Sequence, residues 1–98
     1  MTADVIVRPL AEADVRDAAF RYESKRDGLG AAFTLELDAL YERIAQNPAQ
    51  FPEIGDGAQR ALLRRFPYAV YFVDGEEAPV VIAVLHQHRS PETWRERL

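Results

Sequence analysis

The feature that most constrains this chain is an apolar stripe that runs through residues 31–46. The residues of the stripe follow one another at intervals of four, three and four positions: Phe33, Leu37, Leu40 and Ile44. That spacing places them on one face of an α-helix, and Asn47-Pro48 ends the helix because proline cannot continue it. Packing of the apolar face supplies most of a helix's stability, so the rest of the chain must provide a flat apolar partner.

A second helix is predicted over residues 10–26, with small apolar residues on one face. Its polar residues are expected to point outward: Glu12, Asp14, Arg16, Asp17 and Arg21. Gly28 then ends this helix, and Gly30 allows a tight connection to the helix at residues 31–46. Two amphipathic helices joined by so short a link predict an antiparallel helical hairpin.

Alternating and apolar runs supply the flat partner. Strands are predicted over residues 5–7, 60–66, 68–73 and 80–88. The polar turn at residues 74–77 indicates that the last two strands form an antiparallel hairpin. Residues 48–59 are expected to form a loop rich in proline and glycine, and residues 91–98 a polar tail with Trp94 folded back.

The order of these elements, β-α-α-β-β-β followed by a tail, predicts an α+β fold in one domain spanning residues 1–98. The helical hairpin is expected to pack on one face of a small antiparallel sheet. A chain of 98 residues can bury a single modest core of this kind.

Composition excludes several classes of protein. The longest apolar runs are far shorter than the roughly 20 residues that cross a bilayer, and no signal peptide or membrane partner is expected. The absence of cysteine suits a reducing cytoplasm, where we expect the protein to reside. The net charge of −4 disfavours strong non-specific binding of nucleic acid, although residues 60–98 carry six arginines against five acidic residues.

Several segments, taken in order, resemble the RelE/ParE superfamily of small bacterial toxins from type II toxin–antitoxin pairs. They are PLAEADVRDA, the GLG that follows Tyr22, the NP that closes the second helix, RALLRRFPYAVYF and VLHQHR. The resemblance covers nearly the whole chain. It implies a cytoplasmic bacterial toxin that arrests growth, acts in plasmid stabilization and is neutralised by a cognate antitoxin protein.

The RelE-like branch of this superfamily cleaves messenger RNA on the ribosome with basic residues of the sheet. If the chain resembled that branch in activity, its catalytic residues would be Arg60, Arg64, His86, His88 and Arg89. The branch has basic residues where this chain has Leu62, and an arginine where Ala69 follows Tyr68. Trp94 stands near the place of a tail tyrosine or histidine and cannot act as acid or base. These departures disfavour RNA cleavage.

Members of the ParE-like branch look the same in fold but inhibit DNA gyrase. That branch has no agreed set of catalytic residues. Leu85-His86-Gln87 after a valine-rich strand is similar to the strand ending of that branch. The resemblance therefore favours a gyrase-directed binding protein that needs no cofactor and leans away from enzymatic activity. A ribosome-dependent endonuclease is the alternative, and a decayed toxin that only binds its antitoxin is the third reading.

His86 and His88 are candidate metal ligands, because residues two apart on a strand point to the same face. A metal site needs further ligands of compatible geometry, and the sequence places none nearby, so no metal is expected. We interpret His86 as half-buried and His88 as a residue of the sheet rim. A plain solvated strand end remains the alternative.

The partner surface is predicted on the strand at residues 60–66, where arginines and leucines lie together, and on the tail. Residues expected to bind the target or the antitoxin are Arg60, Leu62, Arg64, Arg65, His86, His88, Arg89 and Trp94. An acidic antitoxin segment is expected to cross this region, because the polar sides of both helices are themselves acidic. A homodimer and a toxin–antitoxin hetero-oligomer both fit the resemblance.

Overall fold

A computed structural model describes residues 5–98 and contains two long helices, a five-stranded sheet and a short C-terminal helix. The elements are β1 (Ile6–Val7), α1 (Pro9–Lys25), α2 (Leu29–Gln46), β2 (Glu53–Gly55), β3 (Ala58–Leu62), β4 (Tyr68–Val73), β5 (Val80–His86) and α3 (Pro91–Arg95). A single 3₁₀ turn, Pro48–Gln50, separates α2 from β2. The predicted α+β fold is confirmed, with the helical hairpin on one face of the sheet.

The link between the helices shows why its glycines and Glu23 are needed. Gly28 has a φ of +87°, a left-handed conformation that favours glycine. A Cβ at Gly30 would lie 2.7 Å from the carbonyl oxygen of Ala19, so only glycine lets α2 start this close to α1. The Glu23 carboxylate accepts hydrogen bonds from the N–H groups of Gly28 and Gly30 at 2.9 and 3.0 Å. A residue of α1 thereby satisfies the start of α2.

The sheet has the strand order β1-β5-β4-β3-β2. All neighbours pair antiparallel except β1, which pairs in parallel with β5, so the sheet is mixed where the sequence predicted an antiparallel one. The reason is that only Arg8 separates β1 from α1, and α1 continues in the direction of β1. Arg8, just before α1, donates to the carbonyl of Val81, and Asp14 of α1 accepts the N–H of Val84. Farther along α1, Arg21 contacts Tyr68 of β4, which pairs with His86 at the end of β5.

The strands differ from the sequence prediction in several places, and β3 begins at Ala58 instead of Arg60. The loop predicted over residues 48–59 contains β2, whose three residues are too few for an alternating pattern to be recognised. β3 ends at Leu62, because the chain turns at residues 63–67 and the Leu63 N–H donates to the carbonyl of Tyr68 at 3.0 Å. β5 ends at His86 instead of His88.

Both faces of the sheet are covered. On one face the predicted apolar stripe of α2 is buried against β4 and β5, with Phe33 and Ile44 fully inaccessible to water. On the other face α3 folds back as predicted, and the Trp94 ring stacks on Tyr71 with centroids 5.8 Å apart. The main core therefore lies under the helices, and a smaller one lies under the tail.

Side chains complete the outer edge of β5 beyond the end of β1. The Asp14 carboxylate accepts the N–H of Val84 at 3.0 Å, and Arg97 donates to the carbonyl of Ile82 at 3.0 Å. Arg97 also forms a two-point ion pair with Asp14, with Nη1–Oδ2 at 2.6 Å and Nη2–Oδ1 at 3.2 Å. The prediction that Asp14 points outward is wrong, because its carboxylate accepts a hydrogen bond from the edge of β5 and pairs with Arg97.

Candidate functional site

Several of the predicted site residues lie at one end of the sheet. Leu62, the last residue of β3, pairs with Ala69, and His86, the last residue of β5, pairs with Tyr68. The turn at residues 63–67 connects β3 to β4 at this same end. Two concave surfaces lie on either side of the turn, one beside α2 and one beside the C-terminal end of α1.

The first surface, the α2 groove, lies between α2 and the end of β3 and has a volume of about 690 Å³. It is lined by Leu35, Glu36, Ala39, Leu40, Arg43, Leu62, Leu63, Arg64 and Arg65. Leu35 is 70 % exposed and Leu62 is 48 % exposed, which is unusual for leucines that flank one groove. The groove is therefore an open apolar surface with arginines at its border.

Glu36 holds the turn that forms one wall of the α2 groove. Its carboxylate accepts the backbone N–H groups of Arg64 and Arg65 and pairs with Nε of Arg65 at 3.4 Å. One arginine charge is thereby neutralised. Within residues 5–98, Arg43 and Arg64 have no ion-pair partner, so the border of the groove keeps two positive charges.

The second surface, the strand-end cleft, has a volume of about 420 Å³. It is lined by Arg21, Tyr22, Lys25, Pro67, Tyr68, His86 and Arg89. A guanidinium N–H of Arg21 donates to the hydroxyl of Tyr68 at 3.1 Å, and the rings of Tyr68 and His86 lie edge to face with centroids 5.5 Å apart. These contacts join the C-terminal part of α1 to the start of β4 and the end of β5.

Tyr22 contributes a neutral phenol to the strand-end cleft. Burial raises the pKa of its hydroxyl, and the neighbouring Tyr68 raises that pKa further against a smaller opposing effect of Arg21. The ring of Tyr22 packs edge to face on Tyr68 at 5.9 Å, and Nζ of Lys25 lies 5.9 Å from the centre of the Tyr22 ring. The tyrosine therefore adds no negative charge beside the cations.

The two histidines of the strand end occupy different environments. His86 is half-buried on the helix side of the sheet, and its Nδ1 accepts the backbone N–H of His88 at 3.1 Å. His88 is exposed in the turn that follows β5, so the two do not share a strand face. Among residues 5–98, no group of three or more histidine and acidic side chains could hold a metal ion.

The structure distributes the five candidate nuclease residues over separate surfaces. Arg60 pairs with Tyr71, so it lies on the sheet face that carries Trp94. Arg64 belongs to the α2 groove, while His86 and Arg89 line the strand-end cleft. These groups do not form one reaction centre.

Trp94 is less available to a partner than its residue type suggests, whereas Arg65 is exposed. Trp94 is only 4 % exposed, because it is packed on Tyr71 with the guanidinium of Arg95 over its ring. Arg65 pairs with Glu36 through Nε, but its side chain stays 68 % exposed. The exposed members of the predicted partner surface are therefore Leu62, Arg64, Arg65, His88 and Arg89.

The sequence analysis did not assign Arg21 and Lys25 to any site. Arg21 was expected on the solvated side of α1, yet it lines the strand-end cleft together with Lys25, His86 and Arg89. Their spacing of four residues near the end of the predicted helix was a usable signal, because residues four apart are neighbours on a helix surface. The proximity of that surface to the end of β5 was not visible in the sequence.

The sequence model of one family, described as the ParE toxin of the type II toxin–antitoxin system parDE, matches residues 5–91. The chain belongs to the ParE toxin family. The fold agrees with a solved chain from the chromosomal ParDE toxin–antitoxin system of P. aeruginosa, with a TM-score of 0.70 at 16% sequence identity. That match covers 87% of this chain and 96% of the other, while no curated protein shows a significant sequence match.

Membership of the ParE family confirms the branch that the sequence analysis favoured. The matched region runs from β1 to the start of α3, so it includes both the α2 groove and the strand-end cleft. No helix in residues 5–98 is both long and apolar enough to span a membrane.

Proposed function

We propose that this ParE-family toxin arrests bacterial growth by inhibiting DNA gyrase and that a cognate antitoxin neutralises it. The observation that carries the proposal is the separation of Arg60, Arg64 and His86 onto three different surfaces of a ParE-family chain. RNA cleavage needs a base, an acid and cations around one phosphate. Binding to a target protein needs no such arrangement.

The α2 groove supports an antitoxin segment as its occupant. Leu35 and Leu62 offer apolar contact, and Arg43 and Arg64 offer charge that is complementary to an acidic peptide. An amphipathic helix with apolar and acidic residues on one side fits such a groove. We therefore propose that the antitoxin segment predicted from sequence to cross Arg64 lies beside α2, and not on the face that carries Arg60.

An open strand edge adjoins the α2 groove. The Arg60 N–H donates to the carbonyl of Pro52 at 3.1 Å, so β2 and the residues before it cover β3 up to this point. Alternate residues of a strand direct their N–H groups to the same side, which directs the Leu62 N–H to this edge as well. A partner strand added here would extend the sheet next to the groove.

A supercoiling assay with purified protein and gyrase tests the activity, and a ribosome-dependent cleavage assay on messenger RNA runs beside it. We expect inhibition of supercoiling with intact RNA, and restoration of supercoiling when the co-expressed antitoxin is added. Cleavage of RNA with unaffected gyrase would replace the proposal with the endonuclease alternative. Loss of growth arrest and of both activities, with antitoxin binding retained, would leave only an antitoxin-binding module.

A further inference from the structure

The strand-end cleft carries a concentration of positive charge to which the proposed binding of an antitoxin in the α2 groove assigns no role. Arg21, Lys25 and Arg89 line it, and no acidic side chain does. Within residues 5–98 none of these three cations forms an ion pair. The protein as a whole has a net charge of −4, so the cleft is opposite in sign to the molecule that contains it.

Hydrogen-bond donors accompany the charges. Arg21 uses one of its five N–H groups on the Tyr68 hydroxyl, which leaves several for a ligand. The Tyr22 phenol is neutral near pH 7, since the ordinary pKa of tyrosine is 10.0 and burial raises it further, so it can donate as well as accept. His86 contributes Nε2, since its Nδ1 already accepts the N–H of His88. The donors thus come from α1 and β5 around a single concavity.

The framework of the cleft is held in place before any ligand arrives. Tyr68 is 6 % exposed and its ring contacts both His86 and Tyr22, so the floor belongs to the packed core. The backbone N–H of Arg89 donates to the carbonyl of His86 at 2.9 Å, which ties the turn to the end of β5. Binding therefore has to order only the exposed side chains of Arg21, Lys25 and Arg89, because the floor beneath them is already in place.

We propose that the strand-end cleft binds a phosphoryl group, supplied by a free nucleotide or by a polynucleotide backbone. A carboxylate has two oxygens in one plane, and a single arginine fork satisfies it. A phosphoryl group carries up to two charges and presents three oxygens in different directions, which matches cations from separate elements. The volume of about 420 Å³ lies in the range of small-ligand sites. This inference does not depend on which target the toxin inhibits.

The proposal is tested by titrating the full-length protein with inorganic pyrophosphate at low salt and measuring the heat of binding by calorimetry. We expect saturable binding with one site per chain and a dissociation constant on the order of 1 mM or tighter. Arg21→Gln and Arg89→Gln should each weaken that binding about tenfold, because each removes charge-assisted hydrogen bonds. Lys25 is not varied alone, because its charge also stabilises the last turn of α1 through the helix dipole. Its substitution would therefore change helix stability as well as the cleft.

Arg16→Gln is the matched control, since Arg16 is an exposed arginine of α1 that lies outside the cleft. It removes the same charge and should change the affinity for pyrophosphate less than about twofold, as expected of a screened distant charge. Circular dichroism of each variant confirms that the fold is retained. Absence of saturable binding, or an equal loss in Arg16→Gln and Arg21→Gln, would overturn the proposal.

Two further titrations identify the source of the phosphoryl group. ATP that binds more tightly than pyrophosphate, with the same sensitivity to Arg21→Gln, would support a free nucleotide. A single-stranded oligonucleotide that pyrophosphate displaces, with an affinity that falls steeply with salt, would support a polynucleotide. An acidic peptide that displaces pyrophosphate at equal concentration would show that the cleft does not select phosphate, and so would contradict the inference.

Discussion

The ion pair between Arg97 and Asp14 should make a large contribution to stability. The two side chains are only 16 % and 14 % exposed, and Arg97 also donates to the Ile82 carbonyl. Arg97→Met removes all three hydrogen bonds while keeping the apolar part of the side chain. The Asp14 carboxylate then retains the Val84 N–H as its remaining partner among residues 5–98.

The size of the loss follows from what the substitution leaves behind. Breaking a fully buried ion pair by removing one partner costs about 3–5 kcal/mol. Because water can still reach part of this carboxylate, we expect the free energy of unfolding to fall by about 2–3 kcal/mol. In a domain of this size that corresponds to a melting temperature lower by about 10–20 °C.

Urea denaturation measures the loss, and fluorescence locates it. Trp94 is the only tryptophan of the chain and stacks on Tyr71, so its emission reports whether α3 is docked. We expect the emission of Arg97→Met to shift to the red at lower urea concentrations than the circular dichroism signal changes. The tail should detach before the sheet unfolds, because Arg97 joins the tail to the edge of β5.

Arg95→Met provides the matched control on the same short segment. Arg95 pairs with Asp56 at 3.8 Å, and those side chains are 52 % and 67 % exposed. An exposed pair of this kind contributes less than about 1 kcal/mol, even with the stacking of Arg95 on Trp94. Equal losses for Arg97→Met and Arg95→Met would refute the reasoning that burial gives the Asp14 pair its value.

Two further predictions concern the α2 groove and α2 itself. Arg64→Glu should weaken binding of the antitoxin about tenfold or more in calorimetry, whereas Arg60→Glu, on the other sheet face, should have little effect; equal effects would exclude the groove as the binding site. Burial, aided by nearby carboxylates, raises the pKa of the Tyr41 hydroxyl well above its ordinary value of 10.0, and this hydroxyl has no hydrogen-bond partner within residues 5–98. Above about pH 10 the unfolded chain loses this proton while the folded chain keeps it, so the free energy of unfolding should fall by up to about 1.4 kcal/mol per pH unit from this residue. Tyr41→Phe should reduce that slope in denaturation at pH 9 to 11, and an unchanged slope would contradict the assignment.

The sequence alone determined the helical hairpin and most of the core. The spacing of Phe33, Leu37, Leu40 and Ile44 is a property of neighbouring residues, and a helix buries such a stripe whatever lies opposite. Gly30 likewise indicated a close connection, which the contact with Ala19 explains. The departures at Leu62 and Ala69 were also visible in sequence, and they favoured the ParE branch that the family match confirms.

Only the tertiary structure decided which distant residues meet. Arg21 and Arg89 lie far apart in the chain and line one cleft because α1 runs along β5 in the same direction. Asp14 appears in sequence as a solvated helix residue, yet it completes the edge of β5 together with Arg97. Periodicity records which face of an element is apolar, but strand register and helix direction are set by packing between segments. For that reason the core was predictable from the sequence, whereas the strand-end cleft was not.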